Sequence, residues 1–152
     1  MALVVNPPSE EGEETVIRPI MTMKFFLQKP SEEADEGDAE VVRDLVETLD
    51  SKRATCVGMA ANMIGVRKRI IAVVDEDGSI LAMLNPQITN CSGPYDAEEG
   101  CLSLSGTRPT RRYKRIVVSY EDVHMQGCQR TFKGRVAQAV QHEIDHCNGV
   151  LI

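Results

Sequence analysis

The sequence predicts an α+β domain of antiparallel strands and two main helices, and three observations carry that prediction. Val41, Val42, Leu45, Val46 and Leu49 recur at the spacing of one helix face. A β-branched run over 69–74 precedes Asp77-Gly78 and a second apolar run over 80–84, the pattern of an antiparallel hairpin. A second helical pattern begins near 133–135, stops at Asn148-Gly149, and carries His142-Glu143-Ile144-Asp145-His146.

The elements follow in order. Residues 1–16, with Pro7, Pro8 and a run of glutamates, read as a surface arm ahead of a domain spanning 17–152. Ile17 to Leu27 is more apolar and Pro30 ends it; the acidic stretch Ser31 to Glu40 reads as a solvated loop. The first main helix is expected from about Asp38 to Lys52, with Asp38 as N-cap. The segment 58–65 is rich in small residues that let backbones approach closely. Arg69 to Val74 and Ile80 to Leu84 are the hairpin strands. Asn85-Pro86 is expected to end the second, with a further short strand over 87–90. Ser105 to Arg115 holds five Lys/Arg residues and one aromatic, and reads as a solvated loop. Ile116 to Tyr120 is a strand, Gly127 turns the chain, and Cys128 to Phe132 is another strand. His124 is a surface residue. In the last helix Val136, Val140, Ile144 and Cys147 share the buried face, which makes Cys147 a core residue rather than a ligand.

Composition narrows the function. The chain has 152 residues, enough for one self-sufficient core, and a net charge of −6, which does not invite a nucleic-acid partner. No apolar run approaches the ~18 residues of a membrane span. The first residues lack a secretory pattern, and the five cysteines are widely spaced and odd in number. The expectation is a reduced, cytoplasmic protein without a membrane partner.

The chemistry resides in H-E-x-x-H. Residues four apart on a helix lie about 40° apart around its axis, so His142 and His146 project from one side and can hold one divalent metal. Ala139 beside them leaves room for it. Glu143 is placed to take a proton from a water at that metal. Such a motif also arises by chance in helices, but Glu99-Gly100-Cys101-Leu102-Ser103 offers a third ligand, a thiol in a glycine-bearing turn.

Three stretches in fixed order, GMAANMIG at 58–65, EGCLS at 99–103 and QHEIDHCNG at 141–149, resemble the peptide deformylases. These enzymes remove the formyl group from the N-terminal methionine of new bacterial polypeptides. The resemblance implies antiparallel strands around a central metal-binding helix. It implies Cys101, His142 and His146 as metal ligands, with Fe²⁺ the expected ion and Zn²⁺, Ni²⁺ or Co²⁺ able to replace it. It makes Glu143 the general acid/base and the Leu102 backbone N–H an oxyanion donor. Val57, Gly58, Gly100 and, more loosely, Arg108 fall at substrate positions. The implied partner is the N-formylmethionyl peptide of nascent chains, with the ribosome as its setting.

One departure bears on catalysis. The family's first motif ends in a Gln that stabilises the oxyanion, and here that catalytic position is Met63. A thioether has no N–H to donate. The rival reading is therefore a deformylase-like paralogue that binds metal and peptide with little catalysis. An H-E-x-x-H endopeptidase is disfavoured, because the third ligand is Cys101 upstream rather than a downstream Glu or His.

Overall fold

The computed structural model describes residues 16–152. The N-terminal arm expected over 1–16 lies outside them except for Val16, whose N–H donates to Asp44 Oδ1 at 2.8 Å. One five-stranded antiparallel sheet, in the order β1-β2-β3-β4-β5, forms the frame. The chain runs α1 (Lys24–Leu27), α2 (Ala39–Ser51), β1 (Gly58–Ala60), β2 (Ile70–Val74), β3 (Ile80–Cys101), β4 (Leu104–Glu121), β5 (Gly127–Lys133) and α3 (Gly134–Cys147). The α+β class holds. Among the described residues no helix is long and apolar enough to cross a membrane.

The apolar stripe of α2 packs inward as its spacing requires: Val42, Leu45 and Leu49 are buried, and Val41 and Val46 lean on the same core. Asp38 stands at the N-cap position as expected, but its side chain makes no capping bond to α2. The chain enters through a 3₁₀ turn, Glu36–Asp38, in which Asp35 Oδ1 accepts from the Gly37 N–H and Asp38 Oδ2 accepts from the Asp35 N–H. The Asp38 carboxylate thus serves the turn before the helix.

The hairpin at Asp77-Gly78 forms, with Gly78 at φ +85 and Val74 opposite Ile80. Asn85-Pro86 does not end the strand; β3 continues to Cys101. Asn85 takes a left-handed φ of 51 at an irregularity between Leu84 and Gln87, and β3 passes there from pairing with β2 to pairing with β4. The Asn85 side chain accepts from the Ala34 N–H at 2.8 Å and donates to the Ala34 carbonyl at 3.0 Å. These bonds fix the bend, and the bulge absorbs the proline's missing N–H.

The basic segment expected as a loop is also a strand. Residues 105–115 belong to β4 and pair with β3, placing Arg111 opposite Asp96 and Arg108 opposite Glu99. Opposite charges across the ladder make a charged strand acceptable, and its outer face remains solvated. At the β4–β5 connection the turn is made upstream of Gly127, which opens β5. Met125 takes φ 59, and Asp122 Oδ1 accepts from the N–H groups of His124 and Gln126 at 2.8 and 3.0 Å.

The last helix ends as its sequence dictates. Gly149 adopts φ +75 after Asn148, and a Cβ there would collide with the Gln28 carbonyl oxygen. Only glycine fits this stop. Val136, Val140, Ile144 and Cys147 are buried in the common core, and burial pushes the Cys147 thiol up to about 12.

Candidate active site

Two elements bring the chemistry together. Helix α3 presents His142, Glu143 and His146, and the tight turn between β3 and β4 presents Cys101. The ligand atoms of Cys101, His142 and His146 lie within 4.8 Å of one another. His146 Nε2 is 3.3 Å from Cys101 Sγ and 3.2 Å from His142 Nε2. A tetrahedral ion bound at about 2.3 Å to sulfur and about 2.05 Å to nitrogen separates its donors by about 3.6 Å (S···N) and 3.3 Å (N···N). The two separations at His146 are close to those values, and the whole set lies within reach of one ion. The Ser103 N–H donates to the Cys101 sulfur at 3.4 Å and holds it at the end of the β3–β4 turn.

A second layer orients the ligands. Glu99 Oε1 accepts from His142 Nδ1 at 2.8 Å, which turns Nε2 toward the other donors. Glu99 is gripped by Arg112, whose Nε and Nη2 reach it at 2.9 and 2.7 Å, and by Gln138 Nε2 at 2.8 Å. Arg112 Nη1 continues to Asp145 at 2.7 Å. Both Glu99 and Arg112 are buried. Burial alone would raise the Glu99 carboxyl, but the bonds from His142, Arg112 and Gln138 outweigh it and hold the group down to about 2. Asn62 adds a brace: its amide donates to the His146 carbonyl at 2.9 Å, tying the 3₁₀ turn Ala61–Ile64 to the end of α3.

The two imidazoles shift in opposite directions. Burial lowers His142, yet the Cys101 bond, the Glu143 charge and the Glu99 bond raise it to about 10. For His146, burial and the charges of His142 and Arg112 all act downward, to about 3.

Glu143 is buried, and its Oε1 has no hydrogen-bond partner. Burial, the largest cause, pushes its carboxyl up to about 7. A carboxylate kept near neutrality with an unused oxygen is suited to proton transfer. Gly58 makes room for it: a Cβ at that position would lie 2.9 Å from Glu143 Oε2 and 3.1 Å from its Cγ.

These groups border a cavity of about 530 Å³. Val57, Gly58, Met63, Gly100, Cys101, Leu102, His142 and Glu143 all line it; His146 does not, and is fully buried. Arg108 does not line it; its guanidinium donates to the Ser105 carbonyl at 3.1 Å. Met63 is 1 % exposed, and its Sδ accepts from the Ala60 N–H at 3.4 Å. Its sulfur is thus engaged within its own turn.

The second layer was not legible in the sequence. Gln138 could have been found, since it stands four residues before His142 on the same helix face. Arg112 carried no signal: within a run of cations nothing marks the one that turns inward.

Comparison with known proteins places this geometry. Residues 17–152 match the family model for polypeptide deformylase. The chain belongs to that family. It is 45 % identical over 137 residues to a peptide deformylase of Clostridium beijerinckii, covering 90 % of this chain and all of the relative. A peptide deformylase of Dictyoglomus thermophilum is 41 % identical, with 82 % of this chain and 80 % of the relative covered. Among solved structures, the peptide deformylase of Thermotoga maritima superposes with a TM-score of 0.79 at 30 % identity, covering 90 % of this chain and 95 % of that one. That of Thermus thermophilus gives 0.78 at 32 % identity, with 89 % and 83 % covered.

Proposed function

We propose that this member of the deformylase family hydrolyses the formyl amide of N-formylmethionyl peptides. The observation that carries the reading is a thiol and two imidazoles clustered within 4.8 Å beside a buried carboxylate with a free oxygen, with Cys101, His142 and Glu143 lining one cavity. One thiolate and two imidazoles suit a borderline divalent ion, and Fe²⁺ is our expectation, with Zn²⁺, Ni²⁺ or Co²⁺ as substitutes. When bound, such an ion supplies Lewis acidity and makes water a nucleophile near neutral pH.

The chain's own groups do the rest. Cys101, His142 and His146 hold the ion, and Glu99, fixed by Arg112, keeps His142 in register. Glu143 accepts a proton from the attacking water and returns it to the departing amine, whose loss completes the cleavage. The backbone N–H of Leu102 faces the developing oxyanion, and Val57, Gly58 and Gly100 border the bound methionyl residue. Residues 17–152 form the catalytic domain and 1–16 an arm. The setting is the cytoplasm, on nascent chains at the ribosome.

A second reading, binding with little catalysis, is favoured by one observation: Met63 offers no amide, and its sulfur is spent on Ala60. Release of formate from formyl-Met-Ala-Ser by the Fe²⁺ protein, prepared without oxygen, separates the two. Binding of the peptide without formate release would favour the second.

A further inference from the structure

One stripe of α3 leads from the cavity mouth to the metal ligands. Arg135, Gln138, Ala139 and His142 all line the cavity, and their i, i+3, i+4, i+7 spacing sets them on one helix face. Their roles differ. His142 faces the ligand cluster, Gln138 is committed to Glu99 at 2.8 Å, and Ala139 has no polar atom. Arg135 is exposed and, among the described residues, makes no hydrogen bond or ion pair. It is the unspent donor of the stripe.

Distance sets what it can reach. Arg135 stands seven residues before His142, about 10.5 Å along the axis at about 1.5 Å per residue. An extended peptide advances about 3.3 Å per residue, so that span matches roughly three residues of substrate counted from its formyl end. The helix wall is positive: Arg135 sits in the first turn of α3, where the helix N–H groups point outward, and the preceding Lys133 is also exposed. Glu98 on the facing strand is exposed and lines the cavity too, yet forms no ion pair with Arg135 among the described residues. The mouth therefore has a cationic helix wall and an anionic strand wall, left unpaired.

We propose that Arg135 is a specificity-determining residue that recognises an acidic side chain at the second or third residue of the formyl-methionyl substrate. This rests on the deformylase reading above, and the test keeps the two apart. Peptides with amidated C-termini remove the terminal carboxylate as a confounding anion: formyl-Met-Asp-Ala, formyl-Met-Ala-Asp and their lysine counterparts. With Ni²⁺-loaded protein at low ionic strength, the better aspartate peptide should exceed its lysine counterpart by about two- to fivefold in kcat/KM, the scale of an exposed ion pair. The difference should reside in KM and fade with salt. Arg135→Leu should bring the ratio to about one, and Arg135→Glu should invert it. A ratio unchanged in both variants overturns the proposal. If no formyl peptide is turned over, the activity reading fails. Calorimetric binding of amidated Met-Asp-Ala, Met-Ala-Asp and their lysine counterparts to the same proteins then reads the same ratio, and equal affinities overturn the assignment.

Discussion

Replacing Met63 by Gln should raise the turnover number on a formyl-methionyl peptide. Gln and Met have similar length and volume, and the site is 1 % exposed, so the swap changes chemistry more than packing. The existing bond indicates how the amide would lie. Met63 Sδ accepts from the Ala60 N–H at 3.4 Å, and a Gln Oε1 one bond further out can accept from the same group. That leaves Nε2 directed to the cavity Met63 already lines. An oxyanion donor is worth ~10²–10³ in turnover, about 2.7–4 kcal/mol. A newly placed amide recovers part of this, so the expected gain is up to ~10²-fold. It belongs in kcat rather than KM, because the donor acts in the transition state. Any Nε2 hydrogen left without a partner at this buried position costs about 1–3 kcal/mol of stability. The Tm falls by roughly 2–4 °C per kcal/mol in a domain of this size. Steady-state kinetics on both proteins, with matched metal content, decide the matter. An unchanged kcat would refute the claim that the missing amide limits this protein.

Other perturbations give separate readouts. Cys101→Ala should lose stoichiometric metal in elemental analysis, since it removes one of the three donors clustered among the described residues; full retention would remove Cys101 from the site. Glu143→Gln should keep its metal while turnover drops by ~10²–10⁴, the usual share of a general acid/base. Gly58→Ala places a methyl 2.9 Å from the Glu143 carboxylate, so it should depress kcat while leaving metal content intact. Glu99→Gln should weaken metal binding by ~10–100-fold in a chelator competition. The same variant gives a pH test. A carboxyl held down to about 2 contributes stability that is present above its unfolded value, near 4.5, and lost as pH falls toward 2. The Tm deficit of Glu99→Gln should therefore be full at pH 7 and shrink through that acidic window; a constant deficit would mean the Glu99 charge is not what stabilises.

Local pattern revealed the helices and the ligands because both follow from spacing along one element. The stripe of α2, the glycine stop of α3 and the His142/His146 pair need only helical periodicity. What the pattern missed depends on pairing between distant segments. Asn85-Pro86 reads locally as a strand end, yet Asn85 is held in a bend by Ala34 and β3 runs on against β4. The cations of 105–115 read locally as solvated, yet β3 supplies acidic partners across the ladder, and Arg112 turns inward to Glu99 and Asp145. Glu99 itself was visible only as a neighbour of Cys101, and its role as the brace of His142 exists only once the strand lies beside α3.

The central claim is that the three donors and Glu143 form one hydrolytic site, and formate release tests it most directly. The measurement is formate and free amine produced from formyl-Met-Ala-Ser by anaerobic Fe²⁺-loaded protein, beside Glu143→Gln of equal metal content. The account predicts stoichiometric formate and amine from the unaltered chain and a fall of ~10²–10⁴ in the variant. Equal rates in the two proteins, or no formate from either at full metal occupancy, would contradict it.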